Sequence, residues 1–315
     1  MLVRSVHVYV LNYNGEELLP ECLPSIQKAV ENSPVNAQLF VIDNESTDRS
    51  LEVLRCHFPN VPVLRSKNRF LCSFNEFVFK DHSDIVILMN NDIKVTKKFI
   101  QPLIQKFEEN ENAFVVSSLC WDFSEQVYEG GLSVLQKKLG WWGTQSVDPR
   151  KSGPFLYTAS VGACIAFRRD RFTNLGGFDD LYLPGTLEDL DICYRGWKKG
   201  WLAYFEPRSV IFHKGQATFR AKFGVSKIRE MATRNTYFFT WKNITDKNLL
   251  LEHFLWIIPR FLYSLLRGDF AFITGTIRAF GGIKRVCESR RRDKTLEQIS
   301  DQSILELFKP LIQHI

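Results

Sequence analysis

Short apolar runs recur along the first 120 positions, each ending in a polar cluster. Residues 6–11 and 39–42 are rich in β-branched and aliphatic side chains, and between them Leu18, Leu19, Leu23, Ile26 and Val30 fall at helical spacing. Residues 61–64 and 85–89 repeat the strand pattern, residues 97–109 read as a helix and residues 114–117 as another strand. Strands and helices alternating at this spacing predict a mostly parallel sheet with helices on its faces. Ligands of such sheets bind beyond the carboxyl ends of the strands, so the polar residues after each apolar run carry the functional interest.

The pattern changes at residue 121. Gly130, Gly131, Gly140, Gly143, Pro149, Gly153 and Pro154 interrupt any period up to residue 158, and Trp141 and Trp142 sit among them. A loop-rich insertion or an antiparallel segment is expected there. Residues 161–167 read as a buried strand and 186–199 as a short helix. From 249 to 286 the chain is apolar with helical spacing; beyond Arg290 it is polar, with a short amphipathic helix marked by Ile304, Leu305, Leu307, Phe308 and Leu311. The expected division is an α/β domain over residues 1–245 and an apolar, basic helical region over 246–315.

With 45% hydrophobic and 24% charged residues among 315, the chain is too apolar for disorder and too charged for a polytopic membrane protein. Its net charge of +6 is unevenly placed. Residues 253–292 hold eight Lys or Arg against Asp269 and Glu288, whereas the remaining 275 residues hold 33 of each sign. A general polyanion-binding surface, and with it nucleic acid as a partner, is not expected. Seven scattered cysteines without a C-x-x-C pair argue against a disulfide scaffold or zinc knuckle and for a reducing compartment. Arg4 leads straight into the first apolar run without the n-region and cleavage site of a signal peptide, which predicts a cytoplasmic protein.

Candidate chemistry gathers where the apolar runs end. The first ends in Asn12-Tyr13-Asn14-Gly15 and the second in Asp43-Asn44-Glu45-Ser46-Thr47-Asp48. Such residues serve as turn and helix-cap punctuation. They equally suit a nucleotide pocket, in which an acidic group at a strand end accepts hydrogen bonds from a base or ribose. The run at 84–89 leads into Asn90-Asn91-Asp92, where a carboxylate can hold a hard divalent cation that keeps sites open for a diphosphate. Glu188-Asp189-Leu190-Asp191 sets three carboxylates in four residues, a costly arrangement unless they face solvent or a cation. An acidic first helical turn is the plainer account. On a helix Glu188 and Asp191 share a face and Asp189 points elsewhere, and a carboxylate aimed into a cleft suits a general base for a hydroxyl nucleophile. His213 closes a later apolar run; imidazole is a common metal ligand, although a lone His is more often a packed or surface residue.

Together these residues make the chain resemble the family 2 glycosyltransferases of the GT-A fold, most closely the rhamnosyltransferase-like bacterial branch. The matching stretches are Leu11-Asn12-Tyr13-Asn14-Gly15, Val41-Ile42-Asp43-Asn44 with Ser46-Thr47-Asp48, Leu88-Met89-Asn90-Asn91-Asp92, Gly162-Ala163 through Arg168-Arg169, Leu175-Gly176-Gly177-Phe178-Asp179, Glu188-Asp189-Leu190-Asp191 with Tyr194-Arg195, and His213. They follow the family's order and end with Arg234-Asn235. The resemblance implies a Rossmann-like mixed sheet flanked by helices. It also implies inverting transfer of a sugar from a dTDP- or UDP-sugar, rhamnose among the candidates, to a hydroxyl of a glycan or polyprenyl-linked acceptor in cell-envelope polysaccharide synthesis.

Carried over position by position, Asp43 would read the base, with Asn12, Asn14, Asn68 and Asn91 around the nucleotide. Asp92 and His213 would hold Mg2+ or Mn2+, and Asp189 would be the general base with Glu188 beside it. Trp141, Trp142 and Asp191 are candidates for the acceptor side, although adjacent Trp residues are as often core anchors. Arg220 and Lys222 could close over the diphosphate or be solvated surface charge. Two positions depart from the family pattern. Asn90-x-Asp92 leaves one carboxylate where the D-x-D motif has two, and Phe70 and Phe74 stand in an otherwise Gly- and Ala-rich loop between Asn68 and Asn75. A non-catalytic sugar-nucleotide binder or scaffold of the same fold is the competing reading. A dinucleotide-dependent oxidoreductase is disfavoured because no G-x-G-x-x-G follows the first strand.

In the C-terminal region no uncharged run between Glu252 and Ile283 exceeds eight residues, short of the ~20 that span a bilayer. Arg260, Arg267, Arg278 and Arg285 are spaced 7, 11 and 7, one line on an unbroken helix, but Pro259, Gly268, Gly275 and Gly281-Gly282 predict several shorter helices. With Leu255, Trp256, Ile257, Ile258, Phe261, Leu262, Phe270, Phe272 and Ile273 they outline an interfacial surface. Residues 253–292 are thus expected to bind an anionic membrane peripherally, at the inner face of the cell membrane; docking onto the protein or a dimer interface is the alternative.

Overall fold

The structure, a computed structural model, describes residues 2–150, 156–215, 217–293 and 298–312, without the side chains of 217–221 and 310–312. Gly153, Pro154 and the side chains of Arg220 and Leu311 therefore lie outside the described residues. From the N-terminus, β1 (Ser5–Asn12), α1 (Leu18–Glu31), β2 (Asn36–Asp43), α2 (Ser50–His57), β3 (Val63–Arg65), α3 (Ser73–Val78) and β4 (Ile85–Asn90) alternate as strand and helix. Next come β5 (Ile93–Val95), α4 (Ile100–Glu109), β6 (Ala113–Asp122), β7 (Tyr128–Gly130), β8 (Ser133–Lys138), β9 (Trp141–Ser146), β10 (Cys164–Arg168) and α5 (Arg169–Asn174). After them stand α6 (Glu188–Lys198), β11 (Leu202–His213), α7 (Ala217–Asn243), α8 (Lys247–Leu266), α9 (Phe270–Gly281), α10 (Ile283–Asp293) and α11 (Asp301–Ile312).

Two compact units share these elements, and each draws on separate stretches of chain. The first comprises residues 1–133, 146–178 and 201–215. Its sheet runs β3-β2-β1-β4-β10-β6-β11-β5, with β7 on β6. β1 is parallel to β2 and β4, β10 is antiparallel to β4 and β6, and β5 is antiparallel to β11, so the sheet is mixed. The apolar run of β4 has five consecutive buried residues, as expected of a strand covered on both faces. α1 buries Leu19, Cys22, Leu23, Ile26 and Ala29, the face its spacing predicts. Register does the positioning: Asn12 pairs with Asp43, and Leu11 with Asn90, so three polar strand ends fall on one edge. Gly162, at φ 73°, delays β10 until Cys164, three residues later than the apolar run suggests. Within 121–158 the antiparallel alternative holds, because β7 folds back on β6 and β8 pairs with β9 across Leu139 and Gly140.

The second unit comprises residues 134–145, 179–200 and 216–315, so the expected boundary at 245 falls inside it. α7 is kinked at Gly224, and Gly275 lets α9 press onto α7: a Cβ there would stand 2.6 Å from the Glu230 carbonyl oxygen. α11 is held by Asp301, which accepts from the Tyr194 hydroxyl at 2.6 Å and pairs with Lys198 at 2.6 Å. Among the described helices, α8 alone is long and apolar enough to cross a membrane, and only 22% of its apolar window is buried. The uncharged-run criterion overlooks α8 because Arg260 and Glu252 interrupt its apolar sequence.

A buried charge cluster organises this unit. Lys242, with a wholly buried side chain, lies 2.7 Å from Asp179, 2.8 Å from Asp191 and 3.1 Å from Asp293. Arg195 donates to Asp191 at 2.8 Å, and Tyr182 and Asn243 donate to the same carboxylate at 2.7 and 2.8 Å. Burial alone would raise the pKa of Asp191 and Asp179, but the Lys242 charge, joined by Arg195 at Asp191 and by hydrogen bonds from Ser289 and Leu181 at Asp179, outweighs it and both are lowered. Removing one member of such a cluster strands the others. Lys242→Met is expected to cost about 3–5 kcal/mol in denaturant unfolding, and a change below about 0.5 kcal/mol would contradict this account.

Candidate active site

In the first unit four strand ends meet. Asn12, at the end of β1, is fully buried; its side-chain amide donates to Asp43 at 3.3 Å and to the Ser46 hydroxyl at 3.1 Å. Its side-chain oxygen accepts from Asn91 at 2.8 Å. Asp43, at the end of β2, is 3% exposed and accepts a second long bond, from the Ser46 amide at 3.4 Å. Both contacts to Asp43 are longer than a strong hydrogen bond, which leaves its carboxylate with accepting capacity. Gly15 sits against this pair: a Cβ there would come within 2.3 Å of both Asn12 and Asn91. Only glycine fits that close approach.

Asn14, at φ 50°, caps the neighbouring loop by accepting from the Thr47 amide at 2.8 Å. Asn68 accepts from Asn44 at 3.1 Å and from the Phe70 amide at 3.2 Å, and its own amide donates to Glu45 at 3.0 Å. The two phenylalanines of this loop differ. Phe74 is turned into the core at 1% exposure, whereas Phe70 is half-buried and held at φ 52°, a left-handed conformation that is strained for an aromatic residue.

Asp92 follows β4 directly, and β5, which it leads into, pairs antiparallel with the end of β11 so that Ile93 faces His213. This brings Asp92 to 3.3 Å from the His213 Nε2. On its other side His213 has Glu129 of β7 at 4.0 Å. Burial tends to lower the His213 pKa, but Asp92 and then Glu129 raise it above the usual value. Asp92 is 8% exposed, and its Oδ1 is buried without a hydrogen-bond partner. A buried carboxylate oxygen left open beside an imidazole nitrogen fits a hard or borderline divalent cation. Among the described residues no group of three His, Cys, Asp or Glu forms a complete cage, so such an ion would rely on other donors as well.

The acid motif belongs to the second unit and opens α6. Thr186 and Leu187, immediately before it, are both left-handed at φ 75° and 66°, a costly conformation for side chains with a Cβ. Asn235 of α7 pins this loop, its amide donating to the carbonyls of Tyr182, Gly185 and Thr186 at 3.0, 2.7 and 2.9 Å. Arg234 adds a bond to the Leu183 carbonyl at 2.7 Å. Glu188 has a buried Oε2 without a hydrogen-bond partner; burial and then the neighbouring Asp189 push its pKa up to about 8. Asp189 is half-exposed and its Oδ1 accepts from the Leu190 amide at 2.8 Å.

Two acceptor-side expectations, Asp191 and Trp142, are corrected. Asp191 is wholly buried and committed to Lys242 and Arg195. Trp142 has no exposed surface and packs edge-on against Tyr194, so it offers no face to a sugar. Trp141 is half-buried between Tyr237, Phe272 and Arg260 within the second unit, as a helix-packing residue with one side in a groove. Residues 217–222 are helical rather than a loop, and Lys222 is exposed. Sequence reasoning named Ser46 only as part of a motif and missed Glu129 and Lys242; a single Lys directly after the aromatic stretch from Tyr237 to Trp241 was the available signal for the last.

Residues 7–176, more than half the chain, match the family model described as Glycosyl transferase family 2. The N-acetylglucosaminyl-diphospho-decaprenol L-rhamnosyltransferase of Mycobacterium tuberculosis (strain CDC 1551 / Oshkosh) is 26% identical over 245 residues, 68% of this chain and 77% of that protein. GalNAc-T7 with UDP, GalNAc and Mn2+ is similar in structure with a TM-score of 0.64 at 16% identity; the match covers 99% of this chain but 57% of that one, little over half its length. Mannosyltransferase PcManGT from Pyrobaculum calidifontis with GDP-Man and Mn2+ gives 0.53 at 15% identity over 98% and 85% of the two chains. S. aureus TarS 1-349 gives 0.55 at 14% identity over 99% and 92%. With its mixed sheet and its strand-end residues, the chain belongs to glycosyl transferase family 2 and has the GT-A fold.

Proposed function

We propose that the chain transfers a hexose from a nucleoside-diphosphate sugar, a dTDP- or UDP-linked donor, to a hydroxyl of a lipid-linked glycan, with inversion at the anomeric carbon. The observation that carries this reading is the convergence of Asn12, Asp43, Asn91, Asp92 and His213 from four strand ends, with a buried Asp92 oxygen left open. Asp43 receives the base, and Asn12, Asn14, Asn68 and Asn91 shape the loops around the nucleotide. A Mg2+ or Mn2+ ion held by Asp92 and His213 would act as a Lewis acid on the leaving diphosphate, a choice supported by the Mn2+ in the GalNAc-T7 and PcManGT complexes.

Asp189 takes the proton of the acceptor hydroxyl as its oxygen bonds to the anomeric carbon. The bond from that carbon to the diphosphate oxygen breaks, and its electron pair leaves on the nucleoside diphosphate. One displacement from the opposite face inverts the configuration and requires no covalent nucleophile. Burial and the neighbouring Asp189 raise the Glu188 pKa and so favour its protonated form; Glu188 orients the acceptor by hydrogen bonding and leaves the base role to Asp189. The decaprenol-linked substrate in the mycobacterial relative's name supports a lipid-linked acceptor and a place in cell-envelope polysaccharide assembly. Peripheral attachment to the inner face of the cell membrane accords with Leu251, Leu255, Ile258, Leu262 and Leu266 of α8 and Phe270 and Ile277 of α9, all more than half exposed.

Asp189→Asn is expected to slow transfer by about 10²- to 10⁴-fold while thermal shifts by UDP-, dTDP- and GDP-sugars with Mn2+ persist. Binding without turnover across the whole panel of donors and acceptors would mark a sugar-nucleotide binder instead. For Glu188, a folded pKa near 8 above the ordinary 4.5 means that the folded state keeps its proton longer, so this group's contribution to stability falls as pH rises between those values. Glu188→Gln should therefore gain in Tm relative to the unsubstituted chain from pH 5 to pH 8; a constant difference would exclude the raised pKa. In flotation, the intact chain should rise with phosphatidylglycerol vesicles, and a Leu255→Gln, Ile258→Gln, Leu262→Gln variant should not. Failure of the intact chain to float removes the membrane from the proposal.

A further inference from the structure

A groove of about 490 Å³ opens in the second unit, within the roughly 300–1,000 Å³ range of small-molecule sites. One helical face of α7 supplies Arg229, Ala232, Thr233 and Thr236, α8 supplies Arg260, α9 supplies Phe272, and the β8–β9 hairpin supplies Lys138, Leu139 and Trp141. Three cations and no acidic residue line it. Asp269 pairs with Arg229 at 2.7 Å, so that guanidinium is held in place.

Arg260 is the unusual member. Its Nη2 donates to the Leu139 carbonyl at 2.6 Å and its guanidinium carbon lies 4.8 Å from the Trp141 ring centroid; the Tyr237 hydroxyl is its polar neighbour, yet the buried Nη1 makes no well-formed hydrogen bond. Burial pulls the Arg260 pKa down, and the neighbouring Tyr237 hydroxyl offsets this only in part. A half-buried guanidinium with one poorly satisfied, buried donor is costly, and an anionic oxygen is a ligand that relieves it. The rest of the lining, Trp141, Phe272, Leu139 and Ala232, is apolar, and α8 and α9 also carry the exposed side chains Ile258, Leu262, Phe270 and Ile277.

We infer that this groove binds the phosphoryl group of an isoprenoid-type phosphate, with Arg260 on the phosphate oxygens and the apolar chain along Trp141, Phe272 and the outer faces of α8 and α9. The inference rests on the lipid-linked acceptor proposed above and assigns the part of the acceptor that lies away from the sugar. It also explains why Trp141 is only half-buried beside the fully buried Trp142.

The test measures binding of farnesyl phosphate to the full chain by tryptophan fluorescence and calorimetry, against farnesol and inorganic phosphate. Farnesyl phosphate should bind at least about tenfold more tightly than either, since loss of one charge-assisted contact corresponds to about that factor. Arg260→Gln should lose about tenfold, Arg260→Lys should recover part of it, and sugar-nucleotide binding should be unchanged in both. Should Arg260→Gln not fold, Ala232→Phe fills the groove from α7 without removing a charge and should abolish binding. Equal binding of farnesol shows a greasy surface only, equal binding of inorganic phosphate shows an anion site only, and an unaffected Arg260→Gln places the ligand elsewhere; each overturns the inference. Binding without any glycosyl transfer would instead sink the proposed reaction and leave the groove assignment standing.

Discussion

The second unit depends on burying one ammonium group among three carboxylates. Lys242 contacts Asp179, Asp191 and Asp293 with no exposed side-chain surface, and Arg195 and Arg292 supply the remaining positive charge at 2.8 and 2.7 Å. Charges of this kind are tolerated in an interior only as a matched set. The consequence reaches the acid motif. Asp191 is withdrawn into the cluster, so of three carboxylates in four residues only Glu188 and Asp189 stay available for chemistry. The same cluster ties the start of α6 to α7 and α10, and it lies directly behind the strained turn at Thr186 and Leu187. Asn235 holds that turn from the side, which is how two left-handed residues with a Cβ persist there.

A different constraint governs the first unit, where strand register does what the ion cluster does in the second. Parallel pairing of β1 with β2 and β4 aligns Asn12, Asp43 and Asn90, and the antiparallel return of β5 on β11 carries Asp92 to His213 across 121 positions of chain. One slipped residue in either pairing would turn Asp43 or His213 to the opposite face. Gly15 fits the same logic, because the Asn12–Asn91 bond leaves no room for a Cβ. These are backbone requirements, and they explain why short polar residues rather than large charged ones line the strand ends.

Much of this was legible in the sequence, for a physical reason. Apolar runs bounded by polar clusters report strands buried on both faces, and β1, β2, β4 and β6 appear where the runs lie. Motif residues at strand ends, Asn12, Asp43 and Asp92, could be named because they are local in sequence. The partnerships were not local. That Glu129 approaches His213, or that Asp191 belongs to Lys242 and not to a ligand, follows from pairings 51 or more residues apart, which no local period encodes. Short elements such as β5 and β7, three residues each, lack enough positions for a period to show. Trp142 was ambiguous for another reason: a large aromatic residue is equally at home in a core or under a sugar, and only its neighbours decide.

The basic segment illustrates how composition misleads when it is read without partners. Of its eight cations, Arg260 bonds the Leu139 carbonyl, Arg278 pairs with Glu230, and Arg285 bonds the Asp180 carbonyl. Arg290 bonds the carbonyls of Trp241 and Ile244, and Arg292 pairs with Asp179. Five of the eight thus serve helix packing, which explains a net positive charge without any external anion. What then distinguishes α8 and α9 is exposed apolar surface, from Leu251 to Ile283, far beyond what scattered surface residues require. In the proposed membrane attachment, insertion of these side chains would outweigh electrostatic attraction, and salt would weaken attachment only in part. Arg260 alone belongs to both accounts, since one end of its guanidinium is fixed by the hairpin and the other is left for a ligand.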